Sequence, residues 1–371
     1  MSKKILKVDT FKMDSHKLNY HPERVAKWLE AENNWKEAKK VYPIYLEISP
    51  SGVCNHRCIF CSLDFMDYQK KFLDVDVFKG YILEMAKMGV KSIMFAGEGE
   101  PLLHKRISEI TVYTKNVGID TAFTTNATLL TEVFCQKALG SITWIKVSIN
   151  AGEAKTYSKI HRAPEKHFFL VLENIKRAVK IRDKNKYSCT IGAQMLLLPE
   201  NIKEVEILAK KLRDVGCDYF VVKPHSQHPQ SRTRQYEKLI YNYDDIEALE
   251  KDLEKFDSRN FQVVIREHTV IKLEEALKPY PKCYSVPFFW AYITASGDVY
   301  SCSMFLNDKN FLLGNIYKKS FQEIWEGEER KENWKLMQEF DISSCRKNCR
   351  MDECNRFLHN LKNPPPHVNF I

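Results

Sequence analysis

Six short runs rich in apolar and β-branched residues recur through the first 225 residues, and a stretch of helical periodicity separates each from the next. They are IYLEIS (44–49), SIMFAG (92–97), TAFTTN (121–126), WIKVSIN (144–150), SCTIGAQMLLL (188–198) and YFVVKPH (219–225). Strands that alternate with helices build parallel βαβ units. The right-handed crossovers of such units curl a sheet toward a barrel. The expected fold class is therefore α/β, a partial (β/α)6 TIM-like barrel. In such barrels the chemistry gathers at the C-terminal ends of the strands.

The rest of the chain brackets this core. Residues 22–40 read as one amphipathic helix with Val25, Trp28, Leu29 and Trp35 on one side, ended by Pro43. After residue 230 the alternation stops. A polar stretch leads to a helix near 243–256 and a short strand, FQVVIRE. From Cys283 onward the sequence AYITASGDVYSC reads as a hairpin turned by Ser296–Gly297–Asp298, followed by helices. The expected divisions are an N-terminal helical extension (1–42), a barrel core (43–230), a connecting segment (231–280) and a small C-terminal domain (281–371). No run of 18 apolar residues is present and the N-terminus has no apolar signal region, so the expectation is a cytoplasmic protein with no membrane partner. The net charge of +9 comes from 57 basic and 48 acidic residues, a mixed solvated surface, and a nucleic-acid partner is not expected.

In a reducing compartment, 11 cysteines point to metal or redox chemistry rather than a disulfide framework. Cys135, Cys189 and Cys217 stand singly in apolar segments and read as core residues. The other eight form two groups. Cys54, Cys58 and Cys61 lie in CNHRCIFC, a C-x3-C-x2-C spacing. Three thiolates on one loop suit three irons of a 4Fe–4S cubane and leave the fourth iron open to a ligand. Structural zinc prefers paired C-x2-C and four ligands, so it fits this loop poorly.

With Phe60 just before its last cysteine, and placed after the first strand, this loop resembles the signature of radical S-adenosylmethionine enzymes. The segment GEGEP (97–101) resembles the family's Gly-Gly-Glu-Pro stretch, with Glu98 where many members carry glycine. The resemblance implies that Gly99 and Glu100 meet the methionine amino group of the cofactor. It likewise implies cofactor contacts from Phe60, Thr125, Asn126, Ser148, Asn150 and Gln194. The implied mechanism is reductive cleavage of S-adenosylmethionine to a 5′-deoxyadenosyl radical that abstracts hydrogen from a substrate, with a flavodoxin- or ferredoxin-type electron donor.

The second group is Cys283, Cys302, Cys345, Cys349 and Cys354. The C-x13-G-x4-C opening and the segment LGNIYKKSFQEIW resemble the SPASM and twitch extensions that hold auxiliary 4Fe–4S clusters. Five cysteines suit one cluster, with Cys283, Cys302, Cys345 and Cys349 the first-choice ligands and Cys354 a substitute. Zinc competes at this second site, because four thiolates also suit it. An auxiliary cluster would accept the electron left on the substrate and make the reaction an oxidation; without that role an epimerisation, rearrangement or dehydration fits.

Lys223, His225 and His228 follow the sixth strand and could hold a phosphate, nucleotide or carboxylate, or could be loop surface. The short segment before the barrel favours a small polar substrate, phosphorylated or nucleotide-linked, over a peptide. The alternatives are a peptide- or protein-modifying maturase and a non-enzymatic iron–sulfur or zinc protein binding RNA. No residue is assigned a catalytic role.

Overall fold

The computed structural model describes residues 13, 15–31, 33–275 and 277–370. Ten strands form one sheet: β1 (Tyr45–Ile48), β2 (Ser92–Phe95), β3 (Asp120–Thr125), β4 (Ile142–Ser148), β5 (Thr190–Leu197), β6 (Tyr219–Pro224), β7 (Gln262–Ile265), β8 (Trp290–Ile293), β9 (Asp298–Tyr300) and β10 (Leu312–Asn315). Their spatial order is β10-β9-β8-β1-β2-β3-β4-β5-β6-β7. The run from β8 through β1 to β7 is parallel throughout, and β9 and β10 join it antiparallel.

The six expected strands are β1–β6. The connecting segment adds β7, with Val222 opposite Ile265. At the other edge the C-terminal hairpin contributes β8, which lies parallel beside β1 with Tyr45 opposite Trp290. The barrel core and the C-terminal segment thus share one sheet.

Strand alternation explains the two faces. Ile145, Val147, Ile191, Ala193, Phe220 and Val222 point outward and are sealed under the helices. The residues between them point inward, and Lys146, Ser148, Gln194, Leu196 and Lys223 all keep partial exposure although their strands are central. The inner face is therefore mixed: these positions stay partly exposed, while Met94, Ala96 and Ala122, and Tyr219, Val221 and Val264, pack as small buried clusters.

The N-terminal helix is shorter than its periodicity suggests. It runs Pro22–Ala31, and Asn34 starts a second turn, Trp35–Ala38, by accepting the Lys36 N–H at 3.0 Å. An Asn side chain that competes for backbone donors favours a cap over a helix interior. This extension packs Trp28 against Tyr284, Phe288 and Phe289, in a second core separate from that of the barrel. Arg330, fully buried, stitches the two together. Its guanidinium donates to the carbonyls of Ala38, Lys39, Val41, Pro287 and Trp325 and stacks on the Trp325 ring at 4.2 Å. No helix among the described residues is long and apolar enough to cross a membrane.

Candidate radical and auxiliary cluster sites

The loop after β1 carries Cys54, Cys58 and Cys61. Burial pushes the Cys54 thiol up to about 12, and Glu100 and Cys61 push further in the same direction. The Cys58 thiol is raised well above its ordinary value by burial and then by Cys61 and Cys54. Three partly exposed thiols on one loop, two of them raised further by a neighbouring thiol, fit a cationic iron centre that would take all three as thiolates. The loop is held by its own backbone: Cys61 N–H donates to Cys58 O at 3.1 Å, and Arg57 donates to Cys54 O at 2.6 Å while lying over the Tyr68 ring.

The GEGEP turn after β2 closes on this loop. Glu100 N–H donates to Val53 O at 2.8 Å. A side chain at Gly99 would come within 2.1 Å of that same carbonyl oxygen, so only glycine allows the approach. Gly97 has φ +117° and lies against Ser49 and the Tyr292 hydroxyl, which again excludes a side chain.

Glu100 is buried and both its oxygens are engaged. Oε1 accepts from Thr125 Oγ1 at 2.5 Å and Leu102 N at 3.0 Å; Oε2 accepts from Asn126 N at 2.7 Å. Burial still holds its carboxyl up at about 7. Asn126 donates from Nδ2 to Asn55 Oδ1 at 2.7 Å, tying the end of β3 to the cysteine loop. Asn150 accepts the Leu196 N–H at 2.7 Å and ties the end of β4 to β5. These expected cofactor contacts act, in the structure, as braces of the strand ends. Ser148 and Gln194 sit opposite each other on the inner face, partly exposed. Phe60 packs edge-on to His161 with ring centroids 5.7 Å apart.

Sequence reasoning missed a histidine nest behind the loop. His161, which ends the helix Ala154–His161, places Nδ1 3.2 Å from Cys58 Sγ. His56, Cys58 and His161 bring their ligand atoms within 4.8 Å of one another, and Tyr157 stacks on His161 at 4.2 Å. His56 Nε2 meets His167 Nδ1 at 3.2 Å. Burial, and then His167, lowers His56 to about 4. His161 is lowered well below its ordinary value, by burial first and then by His56. The rings beside the thiols are therefore neutral. The signal in the sequence was His56 itself, inside the cysteine motif.

Glu98, which stands where many family members carry glycine, is buried. Its Oε1 accepts the Ala295 N–H just beyond β8 at 3.0 Å, and burial pushes its carboxyl up to about 7. It links the cofactor turn to the C-terminal segment.

The second set of thiols also converges. Burial, together with Cys349 and Cys283, raises both Cys345 and Cys354 to about 12. Cys349 is held at about 11 by burial and Cys283. Cys302 is raised well above its usual value by burial, then by Cys349, Cys283 and Cys345. Four of these five cysteines raise one another through their charges or are raised by Cys283, and all five lie partly buried against one core, a chemistry that suits a single four-thiolate centre with one cysteine in reserve. Asn355 donates to Cys283 Sγ at 3.4 Å, and its Oδ1 accepts the N–H groups of Tyr284 and Ser285.

His225 and His228 are buried, not loop surface, and burial and Arg346 lower each to about 4. Arg346 donates to Ser226, so the cysteine-bearing C-terminal segment packs on the loop that follows β6. Arg350, next to Cys349, pairs with Glu47 on the inner face of β1.

Comparison with known proteins agrees with this arrangement. Residues 48–212 match the Radical SAM superfamily, and residues 283–355 match the SPASM iron–sulfur cluster-binding domain. A tungsten-containing aldehyde ferredoxin oxidoreductase cofactor-modifying protein of Pyrococcus furiosus is 25% identical over 77% of this chain and 81% of its own length. The GTP 3′,8-cyclase of Chlorobaculum tepidum is 28% identical over 55% of this chain and 63% of its own. Among solved structures, Streptococcus suis SuiB bound to its precursor peptide SuiA superposes with a TM-score of 0.61 at 18% identity, over 84% of this chain and 69% of SuiB. The chain thus carries a Radical SAM superfamily domain over residues 48–212 and a SPASM iron–sulfur cluster-binding domain over residues 283–355.

Proposed function

We propose that this enzyme takes a hydrogen atom from a small polar substrate held at the inner face of the barrel, and that a single auxiliary 4Fe–4S cluster, if bound by the C-terminal cysteines, would supply the one-electron acceptor for a net oxidation in which the substrate also gives up a proton. The family's cofactors are a 4Fe–4S cluster and S-adenosylmethionine, with further iron–sulfur chemistry in the SPASM domain. Cys54, Cys58 and Cys61 would hold the first cluster, and four of Cys283, Cys302, Cys345, Cys349 and Cys354 the second. Bound together, the first cluster and S-adenosylmethionine supply a 5′-deoxyadenosyl radical.

The observation that carries this reading is the partly exposed, polar stretch of the inner face. Its partly exposed residues, Ser148, Gln194 and Lys223 among them, stand on the strands whose ends brace the cysteine loop. This chain's own part is to shape that face. Gly97 and Gly99 let the cofactor turn approach the cysteine loop, and Glu100 and Asn126 fix the strand ends around it. Ser148 and Gln194 offer hydroxyl and amide groups to a bound cofactor or substrate. Arg350 reaches from beside Cys349 to Glu47 on the inner face of β1, so the auxiliary site adjoins the space where a substrate radical would form. A small substrate, in line with the GTP cyclase and the cofactor-modifying protein among its relatives, suits that space. A low-potential flavodoxin or ferredoxin would donate the electron, in the cytoplasm, where the 11 free cysteines stay reduced.

Anaerobic reconstitution with iron, sulfide, S-adenosylmethionine and dithionite tests it. The wild type should release 5′-deoxyadenosine. The Cys54→Ala/Cys58→Ala/Cys61→Ala protein should release none while keeping about four irons at the auxiliary site. Absence of 5′-deoxyadenosine from the wild type would overturn the proposal.

A further inference from the structure

Between β6, which ends at Pro224, and the helix that starts at Tyr243, the chain forms no helix or strand. This connection falls between the two matched family regions, so neither gives it a task. Long connections ordinarily run over a surface, where water satisfies their backbone. Here His225, Ser226, His228, Ser231 and Tyr236 are all buried, at 4–6% exposure. What buries them is the pair of cysteine groups. On the first side, Ser231 Oγ donates to Cys61 O at 3.0 Å. Asp64, three residues past Cys61, accepts the N–H groups of Arg232 and Thr233, each at 2.9 Å, and the Thr233 hydroxyl at 3.0 Å. Asp67 pairs with the Arg232 guanidinium, and Tyr236 packs in a small cluster with Ile59 and Phe60.

On the second side, Arg346, next to Cys345, donates to both the hydroxyl and the carbonyl of Ser226. His228 serves both groups. It stacks on Phe65 with ring centroids 5.3 Å apart, and the backbone of Ser303, next to Cys302, reaches its ring. The piece between these anchors is closed by its own bonds. Gln227 Nε2 donates to the carbonyls of His228 and Thr233 at 3.2 and 2.8 Å, and Ser231 N–H donates to His228 O at 3.0 Å. A turn tied across itself in this way moves as one body, so a displacement at one end is passed to the other. The β1–β8 pairing and the Glu98–Ala295 bond join the same halves of the molecule at the sheet; this turn joins the cysteine segments themselves.

We propose that residues 226–233 are a coupler that fixes the C-terminal cysteines in place relative to the first cysteine loop, with Asp64 and Arg346 as the positioning residues at its two ends. The proposal rests on the reading of the C-terminal cysteines as the holders of an electron acceptor. It adds what keeps that acceptor at a set distance from the radical site. Along the backbone Cys61 and Cys345 are separated by nearly the whole barrel, whereas through Ser231 and Ser226 a single turn spans them.

Amide hydrogen exchange on the reconstituted holoenzyme tests it, read at the end opposite each substitution. Asp64→Ala should speed exchange about fivefold or more over residues 345–351, and Arg346→Met should do the same over 61–66, because coupling between two ends is reciprocal. Asp64→Asn, which keeps one acceptor oxygen, should fall between Asp64→Ala and the wild type. Iron content and near-ultraviolet circular dichroism certify that each variant is folded; should Arg346→Met fail to fold, Asp64→Ala decides alone. Electron paramagnetic resonance of the dithionite-reduced protein gives a second readout that mere packing would not move. The second cluster should hasten spin relaxation of the first in the wild type, and Asp64→Ala should lose part of that effect while keeping both clusters. Exchange altered only beside each substitution, or relaxation unaltered by Asp64→Ala, would overturn the coupler. A wild type with iron at the first loop alone would sink the auxiliary-cluster reading instead, and exchange would then decide the coupler by itself.

Discussion

Buried carboxyls and imidazoles set the behaviour of the cofactor turn residue by residue. Glu98 has a folded-state value near 7 against an ordinary 4.5, because burial disfavours its charge. A carboxyl raised in this way stabilises the fold most below its unfolded value and loses that contribution as pH rises through the interval. Wild-type stability should therefore fall between about pH 5 and pH 7.5. Glu98→Gln keeps an acceptor for Ala295 N–H and cannot ionise, so its fall over that range should be smaller by roughly 1–3 kcal/mol in urea unfolding. Superimposable pH profiles would show that Glu98 is charged throughout. His161 makes a different prediction. A ring N–H donated to the Cys58 sulfur favours the more negative, reduced cluster. His161→Phe should lower the cluster's reduction potential by roughly 50 mV, about the worth of one hydrogen bond. An unchanged potential in a redox titration followed by electron paramagnetic resonance would remove His161 from that role.

At this same scale, residue type proved easier to read than residue task. Thr125 and Ser148 end their strands and Asn126 and Asn150 follow directly after, while Gln194 lies inside β5. Which lone pair meets which donor depends on partners 25 to 71 residues away, such as Asn55 for Asn126 and Thr125 for Glu100. Local pattern carries no information about those pairings. Lys146 was within reach of sequence reasoning: it is the single charged residue of WIKVSIN, on the face opposite Ile145 and Val147.

Elements join through a few polar anchors. Arg330 serves five backbone carbonyls from three parts of the chain. Arg330→Met would leave those acceptors buried and unmatched, at about 1–3 kcal/mol for a group left without a partner. The expected loss is about 3 kcal/mol or more in thermal or urea unfolding, with faster amide exchange over residues 22–41. Unaltered exchange there would show that the extension docks by apolar packing alone. The βα alternation of β1–β6 was legible because period-2 and period-3.6 patterns differ over short windows. The break after Ala31 was not, because a single capping Asn overrode an otherwise continuous apolar stripe.

Across the whole molecule, the C-terminal hairpin is part of the barrel sheet and the N-terminal extension is part of the C-terminal core. A chain ended at residue 280 would leave β1 with an unpaired edge and expose Trp28, Val25 and Ala31. Such a fragment should aggregate in size-exclusion chromatography, and a monomeric fragment that still forms 5′-deoxyadenosine would show the barrel to be self-sufficient. The sequence suggested a barrel with a separate appendage. Strand partners that lie this far apart along the chain leave no local trace.

The pairing of β1 with β8 also sets a schedule. A ribosome releases β1 and the cysteine loop behind it long before β8 exists, since Tyr45 must wait for Trp290. The first cysteines thus stand beside an unfinished sheet until β8 is made, and Glu98 lacks its Ala295 anchor for the same interval. The nascent chain cannot complete the surroundings of its cysteine loop until β8 and Ala295 have emerged, so maturation of that centre waits on the C-terminal hairpin rather than on the loop itself.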